Sequence, residues 1–406
     1  MKRAYKYKLN PTIKQQKALL QAMGNARFIY NWGLAKKKDA WNNNKQRLSF
    51  VELSAMVTEM KKEKEYEWLG LCGRQCLTQS LRNLDNAFTR FFKKQARFPK
   101  FKSKHSKQVV KFEKTPTLDF NGHRIKVPTI GWVKICKNRE FNTETVKIGT
   151  TTVSRDNKGA FWCVILVDDG TTLPLKAKVE ETTAVGVDFG IKTWATLSDG
   201  VKVENPKFLE RTERKLRLLN RRLARKQRGS KNHERARLRL AKYHEHIANQ
   251  REDFTNKLST EWIRKYDTIC LEDLNITGMT QNHCLAGAIN SAAWNSMVRK
   301  LVYKAGWYGK NLVFIGRFDP SSKMCHSCGY INKELKLSDR EWVCPVCGEC
   351  HDRDVNAAMN IKAFGLHPQA LVGKENKIPE GTGILDVEGN GTTHPMKHQG
   401  SKSSAN

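Results

Sequence analysis

The chain has 406 residues, with 73 Lys and Arg against 40 Asp and Glu, so the formal net charge is +33. That length predicts two to four folded units with room for a real core, which excludes a peptide-sized module. The charge asks for a polyanionic partner, and nucleic acid is the first candidate. A membrane is excluded on apolar length, since the longest apolar run, Phe161 to Val167, is too short to span a bilayer.

In chain order, Tyr5, Tyr7 and Leu9 alternate with Lys6 and Lys8, which predicts a strand with a basic outer face, stopped by Asn10 and Pro11. Thr12 and Gln15 spell a capping box, and Ala26, Ile29, Tyr30, Gly33 and Leu34 recur at helical spacing behind it. Helical texture is expected to continue to about Lys100, with Leu77, Leu81, Leu84, Phe88 and Phe91 as a second stripe. From about Val109 to Val167 the texture changes to short β-branched runs separated by turns such as Asn121-Gly122 and Asp156 to Gly159. This predicts antiparallel hairpins in a small β-barrel, with the first strand joining it.

A third region begins near Thr182 and alternates strand and helix through Ala184 to Val187, a partner strand after Gly190, Thr268 to Leu271, and Leu312 to Phe318. It reads as an α/β sheet. Its insertion, residues 206–252, carries sixteen Lys and Arg against five Glu, with leucines at helical spacing on either side of Gly229-Ser230. A basic helical hairpin for phosphate contact is the expectation, because a solvated helix face would mix the two signs. Beyond Leu366 no aromatic residue occurs, and a disordered tail is expected over 366–406.

Two patterns carry chemistry. Cys325-x-x-Cys328 and Cys344-x-x-Cys347 are separated by fifteen residues, and each pair is followed by a glycine, Gly329 or Gly348. Four thiolates at this spacing fold two knuckles around one zinc ion, and with no open position left for water its role is structural. Cys350 and His351 are less favoured substitutes as ligands, and Cys72 and Cys76 read as ordinary helix residues. The second pattern is a set of three acids. Asp188 and Glu272 each end an apolar strand, and Asp354 starts a helix directly after the cysteine loop. Singly, each has a plain explanation as a strand end or a helix cap. Jointly, acids from two strands and a packed helix repel one another unless divalent cations neutralise them, which suggests two Mg²⁺ ions about 4 Å apart and phosphodiester hydrolysis. No phosphate-binding Gly-x-x-x-x-Gly-Lys-Ser/Thr loop is present.

The segments Gly186 to Lys192, Leu271 to Asn275, Leu337 to Trp342 and Asp352 to Ala358, with the four-cysteine loop, strongly resemble the TnpB proteins of bacterial insertion sequences. Gly24 to Trp32 and Phe98 to Lys104 are similar to softer motifs of that family. The resemblance implies a multidomain α/β plus β-barrel chain. Residues 1–10 and 105–181 would form an OB-like wedge barrel, and 11–104 an inserted helical recognition domain. Residues 182–319 and 351–365 would form an RNase H-like RuvC nuclease domain, and 320–350 a zinc-binding insertion that helps guide substrate. It implies catalytic, magnesium-binding Asp188, Glu272 and Asp354, a guide RNA from the transposon end, and cleavage of double-stranded DNA beside a short adjacent motif, as in the related type V CRISPR effectors. A bacterial cytoplasmic, nucleoid-associated protein follows. The alternatives are a guided DNA-binding repressor, expected to lack part of the acidic triad, and a non-cleaving transposition accessory factor.

The cations suit a protein that reads backbone and leaves sequence to base pairing. Arg82, Arg90, Lys100, Lys102 and Lys104 interleave with Phe88, Phe91, Phe98 and Phe101, a pattern able to combine phosphate contact with stacking, although Phe88 and Phe91 read better as core. Gln79, on the same helix, is a candidate reader of an adenine edge.

Overall fold

A computed structural model describes residues 1–112, 117–274, 287, 292–317, 319–336 and 338–367. The expectations for the tail beyond His367, for Asn275 and for Phe318 and Leu337 lie outside the described residues. The described residues divide into two compact units, 1–172 and 173–367. Among the described residues no helix is long and apolar enough to cross a membrane.

The first unit is built on strand β1 (Lys2–Asn10), where Tyr7 and Leu9 are buried and Lys6 and Lys8 are exposed, as alternation requires. β1 lies between β5 (Gly131–Cys136) and β7 (Phe161–Asp168), pairing antiparallel with both. With β2 (Gln108–Phe112), β3 (Thr117–Asp119), β4 (Arg124–Val127) and β6 (Lys147–Arg155) it forms a seven-stranded half-barrel in the order β2-β6-β7-β1-β5-β4-β3. Helix α1 (Ile13–Asn44) starts at the expected capping box: Gln15 N–H donates to Thr12 Oγ1, and Thr12 N–H donates back to Gln15 Oε1. Helices α2 (Phe50–Met60) and α3 (Arg74–Phe92) follow, joined by a 3-10 segment, Lys64–Cys72. Helix residues such as Leu19, Ile29 and Leu77 share one hydrophobic cluster with strand residues such as Tyr7, Phe112 and Ile165.

The helical reading to Lys100 overshoots. Helix α3 ends at Phe92, and Lys94 takes a left-handed φ of 58°. The aromatic spacing continues past that turn because Phe98 folds back edge-on to Phe88 and Phe91, with ring centroids 5.5 and 5.3 Å apart.

In the second unit, β8 (Ala184–Phe189), β9 (Thr193–Leu197), β10 (Lys202–Glu204), β11 (Thr268–Glu272) and β12 (Asn311–Ile315) form a sheet ordered β10-β9-β8-β11-β12. β8, β11 and β12 run parallel, and β9 and β10 extend the sheet antiparallel. Side chains alternate across it. Val185, Val187, Ile269 and Leu271 pack with Trp194, with Trp262 from α5 (Lys231–Lys265) and with Trp294 from α6 (Trp294–Tyr308). The opposite face receives α7 (Arg353–Leu366), where Cys270, Ile315 and Ile361 form a smaller cluster. α4 (Phe208–Ala224) and α5 make the basic hairpin around Gly229, at φ 86°, and Ser230 caps α5 by accepting from His233 N–H.

Candidate active site and metal knuckle

Two glycines let α7 lie close on the sheet. A Cβ at Gly186 on β8 would overlap the Ala358 carbonyl oxygen and the Lys362 nitrogen, and one at Gly365 on α7 would overlap the Cys270 sulfur. Gly186 and Cys270 therefore face α7, and so do the residues two further along each strand, Asp188 and Glu272. Register brings them near one another, because Val187 on β8 pairs with Leu271 on β11, each one residue before its acid.

Asp354 stands in the first turn of α7, and it does not cap the helix. Asp352 does, its carboxylate accepting from the amides of Asp354 and Val355 at 3.1 and 3.0 Å. Asp354 is thus spared for other work. Its carboxylate accepts from Arg340 at 3.0 and 3.2 Å and from Arg353 at 3.2 Å.

The three acids feel one another. Desolvation, followed by the charges of Glu272 and Asp354, pushes Asp188 up to about 7, against the smaller opposing pull of Arg353 and Arg340. A carboxyl that holds its proton near neutrality beside two further acids is under-compensated even with Arg340 and Arg353 nearby, an environment that a hard cation would relieve. Glu272 Oε1 accepts a 2.5 Å hydrogen bond from the Ser321 hydroxyl. Sequence reasoning named the acids and missed Ser321, Arg340 and Arg353. Arg353 adjoins Asp354 in the chain and could have been suspected, whereas the reach of Ser321 to Glu272 follows only from the path of the loop after β12.

The four cysteine sulfurs lie within 4.8 Å of one another, with Cys325 to Cys347 at 3.7 Å and Cys328 to Cys344 at 3.5 Å. Sulfurs placed about 2.3 Å from a tetrahedral zinc would be about 3.8 Å apart, so the donor set fits that ion. Gly329 and Gly348 take φ of 76° and 74°, and each donates its N–H to the carbonyl of the first cysteine of its pair at 2.9 Å. His351 Nε2 lies 3.0 Å from Cys325 Sγ, while its backbone neighbour Cys350 is exposed on β14 (Cys350–Asp352), which pairs with β13 (Glu341–Val343).

Apart from the α4–α5 hairpin, the suspected contacts Gln79, Arg82, Lys100, Lys102 and Lys104 fall in the first unit. Gln79 is buried and lines a cavity of about 300 Å³ with Arg27, Asn83, Lys102, Lys107 and Lys111, its amide 3.3 Å from Asn83 Oδ1. The Lys102 ammonium sits 3.7 Å from the centre of the Tyr30 ring. Arg82 lies over Phe50, and the exposed Lys100 and Lys104 are not part of the cavity wall. Phe88 is partly buried, as expected of core, and Phe98 and Phe101 are exposed.

Comparison with known proteins agrees with this architecture. The "Probable transposase" family OrfB_IS605 matches residues 161–283, the "Cas12f1-like, TNB domain" family matches 294–361, and a "Helix-turn-helix domain" family matches 1–46. Residues 13–44 of that last match form the single helix α1 here. A protein of Streptomyces pristinaespiralis named "Putative RNA-guided DNA endonuclease" is 40% identical over 371 residues, covering 91% of each chain. InsQ of Escherichia coli K12, which bears the same description, is 30% identical over 377 residues, covering 89% of this chain and 92% of its own. Among solved structures, a Cas12f1–sgRNA–target DNA complex aligns with TM-score 0.54 at 16% identity, covering 86% of this chain and 82% of that one. The CRISPR-Cas_phi3 endonuclease aligns with the same score at 10% identity, covering 93% and 94%. By the extent and level of these sequence matches, the chain belongs to the OrfB_IS605 transposase family with its TnpB-like relatives.

Proposed function

We propose that this protein is an RNA-guided, Mg²⁺-dependent DNA endonuclease that cuts double-stranded DNA beside a short adjacent motif. The observation that carries the proposal is the electrostatic coupling of Asp188 to Glu272 and Asp354, which together with burial raises Asp188 to about 7. The names of the relatives support the same reading.

In this reading the three carboxylates hold the magnesium. Bound there, it would supply Lewis-acid activation of water and charge stabilisation for the departing 3′ oxygen. The chain's own residues do the rest. Asp188 would have to be ionised to act as a ligand, so its proton would leave on metal binding. Arg340 and Arg353, now paired with Asp354, would be available to orient a phosphate oxygen by bidentate guanidinium contact. The α4–α5 hairpin supplies sequence-independent phosphate contact, and zinc held by Cys325, Cys328, Cys344 and Cys347 fixes the knuckle that carries Arg340 towards α7. In the first unit, Gln79 and Asn83 would offer amides to a base edge reaching the cavity that Lys102 borders. Residues 1–10 and 105–181 act as the wedge and 11–104 as the recognition element.

Sequencing the RNA that copurifies with the full chain, then challenging a plasmid library matched to it, tests guidance and motif at once. The expected result is one discrete transcript and cleavage confined to plasmids sharing a motif. Recovery of heterogeneous RNA with no matched cleavage overturns the proposal. Asp188→Ala is expected to lower cleavage by at least 10³-fold, on the order of what removing a metal ligand costs, while sparing target binding measured by gel shift.

A further inference from the structure

Glu272 ends a strand beside two other acids, and a glutamate there has three free torsions by which to swing away from them. What holds it comes from outside the sheet. The buried Ser321 donates to Glu272 Oε1 at 2.5 Å. Ser321 is itself fixed, its carbonyl oxygen accepting from Asn360 Nδ2 on α7 at 2.8 Å. That same amide donates to the Met324 carbonyl at 2.6 Å, and Asn356, one turn earlier, donates to it at 2.7 Å. Asn356 Oδ1 accepts from His326 N–H at 2.9 Å, and Asn360 Oδ1 lies 3.3 Å from His326 Nδ1.

Met324 precedes Cys325, and His326 lies inside the first cysteine pair. Asn356 and Asn360 are 1% and 0% exposed, so two buried amides are committed to one knuckle. Buried side-chain amides are costly unless satisfied, and here each is bonded through both its nitrogen and its oxygen. The bonds run without a break from the cysteine knuckle through α7 to Ser321 and on to the Glu272 carboxylate.

We infer that Ser321 is a positioning residue for Glu272, and that the first zinc knuckle, through Asn356 and Asn360, sets where that carboxylate stands. The inference rests on Glu272 being a ligand of the proposed divalent cation. Partners that orient metal ligands typically change metal affinity 10- to 100-fold when lost, and Ser321 falls in that class.

The test uses the full chain with its copurified RNA and compares wild type, Ser321→Ala, the near-isosteric pair Ser321→Thr and Ser321→Val, and Glu272→Ala. Binding of Mn²⁺ is followed by electron paramagnetic resonance, with manganese held by the RNA subtracted using Glu272→Ala. Zinc content is measured in every sample. The expected result is unchanged zinc, about tenfold weaker Mn²⁺ binding in Ser321→Ala and Ser321→Val, and recovery in Ser321→Thr. The Mg²⁺ midpoint for cleavage should rise by the same factor, with most of the rate regained at saturating Mg²⁺. If Glu272→Ala removes a Mn²⁺ site while Ser321→Val and Ser321→Thr titrate alike, the inference on Ser321 fails and the site assignment stands. If Glu272→Ala titrates as wild type, the assignment of the site itself fails. Should Ser321→Ala lose zinc, the Thr and Val pair, equal in volume, still isolates the hydroxyl.

Discussion

Asp188 holds a proton to about pH 7 in the folded chain, whereas an unfolded chain releases it near pH 4. Between those values the folded state binds more protons than the unfolded one, so stability falls as pH rises through the interval and is flat above it. Asp188→Asn removes that penalty. In metal-free protein it is expected to raise the thermal midpoint by a few degrees at pH 8, on the order of 2 kcal/mol once partial exposure is discounted, and to change little at pH 4. Calorimetry across that range checks it, and a gain that is equal at both ends would remove the electrostatic cause. The acids could be singled out in the sequence only as a set, two carboxylates closing apolar strands and a third opening a helix, since each alone reads as a strand end or a cap. Ser321 could not, since a serine in a loop is unremarkable until its partner across 49 residues is known.

Helix α7 carries the site to the sheet, and its approach depends on residues that have no side chain. Gly186→Val would drive a branched side chain into the backbone of Ala358 and Lys362, neither of which can step aside without moving the helix. Destabilisation of about 3 kcal/mol is expected, with loss of cleavage. Gly24→Ala makes the contrast: it lies within α1 with nothing within 4 Å of the added carbon, and should stabilise by about 0.5 to 1 kcal/mol. Urea unfolding of both variants separates steric blockage from a general intolerance of change. Cys344→Ser should abolish stoichiometric zinc, measured by mass spectrometry of the metal, and lower cleavage far more than RNA retention. The helix–strand order of the second unit could be read from apolar periodicity and from its Val-Asp and Glu-Asp strand ends. The end of α3 could not, because Phe98 keeps the aromatic spacing alive after the backbone has turned at Lys94.

For the whole molecule, +33 charges cannot all be matched within the chain, and the long hairpin of α4 and α5 turns most of its Arg and Lys side chains to solvent. Release of counterions should then dominate binding to nucleic acid. With about six to ten phosphates neutralised, affinity for a duplex of unrelated sequence is expected to fall by on the order of 10³ to 10⁵ between 50 and 200 mM salt. A fluorescence-anisotropy titration series reads the slope, and a nearly flat response would mean that the cations serve some other purpose. Loss of the hairpin's arginines should flatten that slope before it alters the proposed cleavage.

The close seat of α7 on the sheet also sets rules for anyone re-engineering this scaffold. Positions 186 and 365 leave no room for a methyl group where sheet and helix meet, so a mutagenesis library that samples them will be spent largely on misassembled clones. Diversity belongs on the solvent faces of the 208–224 and 231–265 helices, where a changed side chain alters phosphate contact without disturbing the sheet.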